Sequence, residues 1–259
     1  MNKAVALIGL LLLGSVLVAG VLSLRDFGEP LRPQMDNYFI NNGQQETAAN
    51  NIVTAVVFDY RGFDTLGEAT VLFSAVSGVL VVFRRVISVR TSDIKDKLVS
   101  GKMSSIVMTQ ANLIFGLTAV FGFYVILHGH LTPGGGFQGG AVVASAVALL
   151  IVSYGFEKIH KTINHRHLSV YEALGLLIFI LTAYAGIRKT FFYNFLANQG
   201  GLFGDAVAFG SNPGNLNTAG VLPIMSMAVG LEVIAGLSLI MLFMFSGLRS
   251  RRIDPEVKE

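Results

Sequence analysis

The chain of 259 residues contains no cysteine and no tryptophan. Without thiols it can form neither disulfides nor thiolate-ligated zinc or iron–sulfur sites, so any redox centre that it serves must lie in other chains. Charged residues are also scarce, at 14% of the sequence, whereas hydrophobic residues make up 53% and the mean hydropathy is +0.63. These values lie outside the range of ordinary soluble domains and indicate an integral membrane protein.

Six apolar runs come close to the roughly 20 residues that a helix needs to cross a bilayer. The first has signal-peptide features, with Lys3 ahead of an apolar core, but we expect it to remain as a helix. The sequence therefore predicts an all-α, polytopic membrane protein with six transmembrane helices. The runs are Ala4–Leu24, Leu66–Phe83, Ile106–Leu127, Phe137–Tyr154, Val170–Ile187 and Leu222–Phe245.

The distribution of lysine and arginine predicts the orientation. If the N-terminus faces the cytoplasm, fourteen of these residues fall in the inside segments and five in the outside segments. The positive-inside rule then places both termini in the cytoplasm. The positive net charge is thus a signal of topology. The basic stretches lack interleaved aromatic residues, so we expect the lipid bilayer, and no nucleic acid, as a partner.

A glycine-dense connection, His128-Gly-His-Leu-Thr-Pro-Gly-Gly-Gly-Phe-Gln-Gly-Gly140, lies between the third and fourth apolar runs. Proline fixes its own φ and glycine reaches positive φ without strain, so this composition predicts a tightly specified turn. The absence of a Cβ in its second half predicts close approach of a neighbouring helix or loop. The signature residues are Pro133, Gly134, Gly135, Gly136, Gly139 and Gly140.

This run closely resembles the signature of the B subunit of Mrp-type multisubunit Na⁺/H⁺ antiporters, a module that also occurs in membrane-bound hydrogenases and sulfur-reducing complexes. The resemblance covers roughly Gly101 to Arg252. Asp59-Tyr-Arg-Gly-Phe-Asp-Thr-Leu-Gly-Glu68 and the apolar run after it resemble the C-terminal tail of the large A-type antiporter protein. The chain thus resembles two neighbouring pieces joined end to end, with residues 1–95 as a two-helix segment and 96–259 as a four-helix domain.

The resemblance implies an accessory subunit of a cation-translocating module in a prokaryotic cytoplasmic membrane. The expected partners are large antiporter-like subunits and small C-, E-, F- and G-like subunits. The joined arrangement favours a redox-driven complex with hydrogenase or iron–sulfur subunits over a stand-alone antiporter. We expect no cofactor and no bond chemistry in this chain, with Na⁺ or H⁺ as the transported ion. A non-conducting scaffold and an independent transporter remain alternatives.

Ionisable groups inside a membrane are costly and are therefore candidates for function. Glu232 lies near the middle of the last apolar run, between Gly230 and Gly236, where no helix cap needs a carboxylate. It is the first candidate for an ion-exchanging group that faces a polar cavity. The alternative is a neutral glutamic acid that holds helices together through a hydrogen bond.

Glu68 and Glu172 have a local explanation. Thr65-Leu-Gly-Glu68 and Ser169-Val-Tyr-Glu172 both fit the capping box, in which a glutamate reaches back to the first amide of its helix. For Glu172 the structural interpretation is favoured. For Glu68 the structural and the functional interpretation both remain open, because Asp59, Arg61 and Asp64 form a mixed-charge cluster with it. The resemblance to the A-type tail implies that this cluster lies along an ion path.

The histidines are weaker candidates. His128 and His130 could relay protons, but their spacing does not suit a shared metal, and we favour a role in fixing the glycine turn by hydrogen bonds. His160, His165 and His167 fit a solvated cytoplasmic loop. The sequence therefore predicts no metal site.

Overall fold

The computed structural model describes residues 33–90, 104–155, 158–159, 162–200, 204–205 and 216–253, with positions 11–12, 14–15, 18–19 and 22 before them. Within these ranges the regular structure is helical, apart from one bridge between Asp205 and Thr218. The chain divides into two units, residues 1–39 and 40–259, and every candidate residue lies in the second. The seam at residues 95 and 96 lies outside the described ranges, as do His160 and both termini.

Seven α-helices and one π-helical turn follow one another along the described chain. The π-helical turn, Val56–Tyr60, continues directly from α2. The helices are α1 Pro33–Thr47, α2 Ile52–Ala55, α3 Gly62–Arg90, α4 Ser105–Leu127, α5 Gly136–Tyr154, α6 His165–Ala185 and α7 Leu222–Ile253.

Five of these helices, α3 to α7, contain spans long and apolar enough to cross a membrane. They correspond to five of the six predicted runs, and most of the first run, Ala4–Leu24, lies outside the described residues. The spans are Gly62–Phe83, Ser105–Leu127, Gly136–Tyr154, His165–Ala185 and Leu222–Phe245.

Two helices begin earlier than their apolar runs. Helix α6 starts at His165 because Asn164 caps it, with its side chain accepting a hydrogen bond from the amide of Arg166 at 2.9 Å. Helix α3 starts at Gly62, directly after the π-helical turn. Hydropathy marks where a helix crosses the bilayer, whereas caps mark where it begins, so both starts fall in polar sequence.

Helix α7 is the centre of the bundle. Of its most apolar stretch 61% is buried, against 11% for α3 and 17% for α4. It packs against α3, α4, α5 and α6. Its buried residues Leu222, Met225, Val229 and Val233 form one core with side chains of the neighbouring helices, such as Phe179 of α6. A polar group on α7 is therefore shielded by the rest of this chain.

Candidate functional site

Glu172 and Glu232 do not cap helices. Glu172 lies two turns into α6 and is 1% exposed, and Glu232 in the middle of α7 is 0% exposed. The capping-box interpretation of Ser169 and Glu172 is therefore wrong, because Asn164 is the N-cap of α6. The same holds for Thr65 and Glu68: α3 begins at Gly62, and the Thr65 hydroxyl donates to the carbonyl of Val57 at 2.7 Å.

The two buried glutamates meet where α6 crosses α7. A Cβ at Gly175 would lie 2.6 Å from the carbonyl oxygen of Ala228 and 2.7 Å from the backbone nitrogen of Glu232. In return, a Cβ at Gly236 would lie 3.3 Å from Oε1 of Glu172. Each glutamate thus packs beside a glycine of the opposite helix. We call Glu172, Gly175, Glu232 and Gly236 the carboxyl crossing.

The carboxyl crossing has few hydrogen-bond donors. Oε1 of Glu172 and both carboxyl oxygens of Glu232 are buried without a hydrogen-bond partner. The salt bridge between Arg61 and Asp64 does not involve either glutamate. Buried polar atoms are nearly always paired, so unpartnered carboxyl oxygens in a protein interior point to a ligand, a proton or a partner chain.

A small cavity connects the carboxyl crossing to Glu68. Its volume is about 10 Å³, close to the space that one water molecule needs. Glu68, which is exposed on α3, and Glu232 both line it. The remaining lining residues are Thr65, Ala69, Leu72, Phe137, Val229 and Val233. The structure therefore brings together two acids that the sequence singled out separately.

The mixed-charge cluster predicted around Glu68 separates into independent groups. Arg61 and Asp64 form an exposed salt bridge of 2.5 Å. Asp59 lies partly buried in the π-helical turn. Burial raises its pKa to about 6; the charge of Glu46 also raises this pKa, whereas a hydrogen bond with the backbone of Asn194 lowers it. Neither Asp59 nor Asp64 lines the cavity with Glu232.

The glycine turn is held by side chains of the segment before α3. Nδ2 of Asn51 donates to the carbonyls of Gly129 at 2.8 Å and Thr132 at 2.9 Å. The Thr54 hydroxyl donates to the same Gly129 carbonyl at 2.6 Å, and the backbone amide of Asn51 donates to the carbonyl of His130. We call Asn51, Thr54 and the turn residues 129–132 the outer clamp. Ala48, Ala49 and Ala55 of the same segment are fully buried.

The signature glycines allow close packing around this turn. Gly134 and Gly135 have φ of 155° and 152°, which favour glycine. A Cβ at Gly136 would overlap the carbonyl oxygen of Ser226 on α7. At Gly139 it would lie 2.6 Å from Cγ1 of Ile126, and at Gly140 it would lie 2.8 Å from Cβ of Val233; Pro133 is exposed at the turn.

The two histidines of the turn differ. The ring of His128 stacks on Tyr124 at 4.1 Å, and its Nδ1 lies 3.1 Å from the Tyr124 carbonyl oxygen. His130 is 1% exposed and neither ring nitrogen has a hydrogen bond of normal geometry, so the expectation that its side chain fixes the turn by hydrogen bonding is wrong. Burial, followed by the nearby charge of His128, lowers the pKa of His130 to about 4, with the backbone of Leu216 acting in the opposite sense.

Sequence reasoning missed Asn51, Asn194 and the partners of the glutamates. Asn194 is buried after α6; its Nδ2 donates to the Ala219 carbonyl, and its Oδ1 accepts from the Val221 amide. A weak signal existed for the crossing, because each glutamate is followed by a glycine three or four residues later on the same helix. The described residues contain no group of three or more acids and histidines that could hold a metal ion.

Two protein families match the sequence in succession. Residues 8–96 match the MbhE family, described as the E-type subunit of MBH. Residues 106–239 match the family described as a domain related to the MnhB subunit of the Na⁺/H⁺ antiporter, which is more than half of the chain.

Individual relatives agree with these families. An uncharacterized protein of Methanocaldococcus jannaschii is 35% identical over 73% of this chain and 74% of its own length. A probable A/B-type subunit of a K⁺/H⁺ antiporter of Rhizobium meliloti is 27% identical over 72% of this chain but only 20% of its own length. The B-type subunit of the Na⁺/H⁺ antiporter of Bacillus subtilis is 35% identical over 30% of this chain and 53% of its own length.

Two solved structures share the fold. A chain of the archaeal membrane-bound sulfane sulfur reductase, a respiratory membrane complex, superposes with a TM-score of 0.69 and is 32% identical, over 94% of this chain and 98% of that one. A chain of the Mrp complex of Dietzia has a TM-score of 0.65 and 20% identity over 94% of this chain and 26% of that one. The protein therefore belongs to the MnhB-related family of membrane subunits of Mrp-type modules.

Proposed function

We propose that this chain forms part of a Na⁺ or H⁺ path in its module, with Glu232 as the exchanging carboxyl and Glu68 as the group through which ions pass toward a neighbouring subunit. The observation that carries this proposal is the cavity that both acids line. Glu232 is fully buried, whereas Glu68 is exposed on the sparsely covered helix α3. An exposed acid on a membrane-spanning surface is costly unless a partner chain or water covers it.

We further propose a redox-driven complex in a prokaryotic cytoplasmic membrane, with large antiporter-like, small C-, E-, F- and G-like and hydrogenase or iron–sulfur subunits as partners. The support is the match of residues 8–96 to the MbhE family and the 32% identity to the sulfane sulfur reductase chain, compared with 20% for the Dietzia chain. The absence of cysteine fits redox centres in other subunits. Six spans with both termini in the cytoplasm complete the proposal, supported by the apolar runs and the lysine and arginine distribution.

Substitution of the two acids tests the ion path. In the complete complex reconstituted into vesicles, we expect Glu232→Gln to lower ion-coupled transport at least about tenfold, which corresponds to a barrier raised by about 1.4 kcal/mol. Glu68→Gln should lower it by a smaller factor, because Glu232, the exchanging carboxyl, is retained. Glutamine keeps the shape of the side chain and removes its exchangeable proton and charge.

Asp36→Asn is the matched control, because Asp36 is an exposed acid in the first turn of α1. Mass spectrometry of each preparation checks that the variants assemble with the same partners, and identifies those partners. Full transport in assembled Glu232→Gln and Glu68→Gln complexes would favour the alternative of a scaffold protein. The observation that supports a scaffold is the outer clamp, where hydrogen bonds join the segment before α3 to the glycine turn.

A further inference from the structure

Glu172 does not line the cavity that Glu68 and Glu232 share, yet it is buried like Glu232, at 1% and 0% exposed. It is not a capping residue, and its Oε1 has no hydrogen-bond partner. Burial of a carboxyl group without a partner is unfavourable, and an apolar residue of similar size would fill the space at lower cost. The position therefore calls for an explanation that involves the carboxyl group itself.

The backbone packing at the crossing brings this carboxyl to Glu232. Gly175, one turn after Glu172, lets the backbone of Glu232 approach α6. Gly236, one turn after Glu232, leaves room for the Glu172 carboxyl against α7, with Cγ2 of Val76 on the other side at 3.1 Å from the glycine's Cβ position. Oε1 of Glu172 therefore lies against α7 one turn from Glu232, whose Cβ in turn lies against Gly175. Each helix thus supplies one carboxyl and one glycine.

Two carboxyl groups at close range in an apolar interior cannot both carry an uncompensated charge. Among the described side chains of the helices packed against α7, no lysine, arginine or histidine lines this cavity. On α3, Glu68 is the other titratable group at the cavity, and the titratable side chains of α4 and α5, Tyr124 and Tyr154, are engaged with His128 and Asn112. Bound protons or a bound cation must therefore neutralise the pair.

We propose that Glu172 and Glu232 form one two-carboxyl site that holds a single Na⁺ in exchange for a proton. In the Na⁺-free state both carboxyl groups are protonated. When Na⁺ enters from the cavity beside Glu232, one carboxyl O–H bond breaks and its proton leaves, so the net charge of the site does not change. The other carboxyl keeps its proton and contributes a carbonyl oxygen as a ligand. This inference rests on the proposed ion path, to which it adds a second ligand and a stoichiometry.

The test is Na⁺ binding to the complete detergent-purified complex, measured with radioactive Na⁺ at fixed pH. We expect Glu172→Gln and Glu232→Gln each to weaken one Na⁺ site per chain at least about tenfold, since even outer-shell partners of metal ligands commonly contribute that much. The double variant should bind no more weakly than the weaker single variant, because both changes destroy the same site. Wild-type complex should release one proton for each Na⁺ bound at this site.

Gly236→Ala keeps both carboxyl groups but places a methyl group 3.3 Å from Oε1 of Glu172. It should also weaken Na⁺ binding, which makes it the second variant if Glu172→Gln does not assemble. Asp36→Asn is the control for the loss of an exposed acid outside the carboxyl crossing and should bind as wild type. If the assembled Glu172→Gln complex binds Na⁺ as tightly as the wild type, the two-carboxyl site is contradicted.

The outcome is distinguishable from failure of the proposed ion path. Glu68→Gln should slow transport without removing the Na⁺ site, because Glu68 lines the cavity but lies outside the carboxyl crossing. Normal transport in both Glu68→Gln and Glu232→Gln contradicts the path. Loss of Na⁺ binding in Glu232→Gln with full binding in Glu172→Gln contradicts only the two-carboxyl site.

Discussion

The outer clamp and the carboxyl crossing are two closely packed contacts that differ in whether their polar atoms form hydrogen bonds. In the clamp, Asn51 and Thr54 place their donors on the carbonyls of the glycine turn at 2.6–2.9 Å. In the crossing, three buried carboxyl oxygens have no partner. Both regions use glycine to bring backbones together, so tight packing alone does not separate structural from functional contacts.

The difference teaches which polar groups to consider functional. A buried polar group with a hydrogen-bond partner has replaced the hydrogen bonds that it made to water, so its removal mainly affects stability. An unpartnered carboxyl group lowers the stability of the isolated chain, so its presence needs a ligand or a proton as the reason. Substitutions in the clamp should therefore change assembly, whereas those in the crossing should change ion binding.

The largest effect on assembly is expected at Gly136. Its Cβ would overlap the Ser226 carbonyl oxygen and lie 2.8 Å from the Gly230 amide nitrogen, both on the backbone of α7. Because backbone cannot turn aside as a side chain can, Gly136→Ala should destabilise the complex by about 3 kcal/mol or more. Thermal unfolding monitored by size-exclusion chromatography measures the loss.

Gly116→Ala on α4 is the matched control, because no atom lies within 4 Å of its Cβ position. Alanine favours a helix over glycine by up to about 1 kcal/mol, so the control should be neutral or slightly stabilising. If Gly136→Ala unfolds at the same temperature as Gly116→Ala, the start of α5 does not depend on close contact with the backbone of α7.

The next effect is expected at Asn51, which caps α2 and holds two carbonyls of the turn. Asn51→Ala should cost about 2 kcal/mol, from the cap and from the Thr132 carbonyl left without its Asn51 donor. Asn51→Asp sharpens the test: it keeps a good cap but replaces the donor with an acceptor facing two carbonyls. It should therefore be no more stable than the alanine variant.

Asn164→Ala supplies the reference for Asn51, because Asn164 caps α6 through the Arg166 amide without holding a turn. It should cost only about 1 kcal/mol. Equal losses in thermal stability at Asn51 and Asn164 would mean that the two hydrogen bonds to the glycine turn contribute nothing beyond the cap.

Much of the fold could be predicted from the sequence, because hydropathy alone locates α3 to α7. The motif His128–Gly140 also pointed to the turn and the family. Helix starts were missed at α3 and α6, since a π-helical turn and an asparagine cap lie outside the apolar runs. The mistaken capping boxes followed directly: Ser169 and Thr65 were placed at helix starts that lie farther upstream.

The site was only half predictable. Glu232 stood out because a carboxyl group in the middle of an apolar helix has no local role. Its neighbours could not be derived, since Glu172 and Gly236 are 64 residues apart in sequence and approach each other only because their helices cross. The cavity shared with Glu68 likewise depends on how α3 packs against α7. Hydrophobic periodicity indicates which face of a helix is buried, but it does not indicate which helix packs against that face.

The smallest effect is expected at His130, a polar residue of the clamp region that resembles the crossing in having unpartnered buried nitrogens. Its pKa is lowered to about 4 from 6.5, so the folded protein keeps the ring neutral where the unfolded chain protonates it. Its contribution to stability is therefore complete above pH 6.5 and is lost as the pH falls toward 4. His130→Phe removes this titration while keeping an aromatic ring of similar shape.

The measurement is the unfolding temperature of wild-type and His130→Phe complexes at pH 7 and about pH 5.5. We expect nearly equal stability at pH 7 and a relative gain of about 1 kcal/mol for the variant at the lower pH. Asp59, whose raised pKa of about 6 makes stability fall as the pH rises from 3.8 through 6, is present in both proteins and cancels in the difference. A pH-independent difference would mean that the pKa of His130 is the same in the folded and unfolded chains, because only a pKa difference makes stability depend on pH. A partner of the charged ring would then have to offset the cost of burial. His130 would in that case belong with the glutamates of the crossing, as a polar group retained for what it binds.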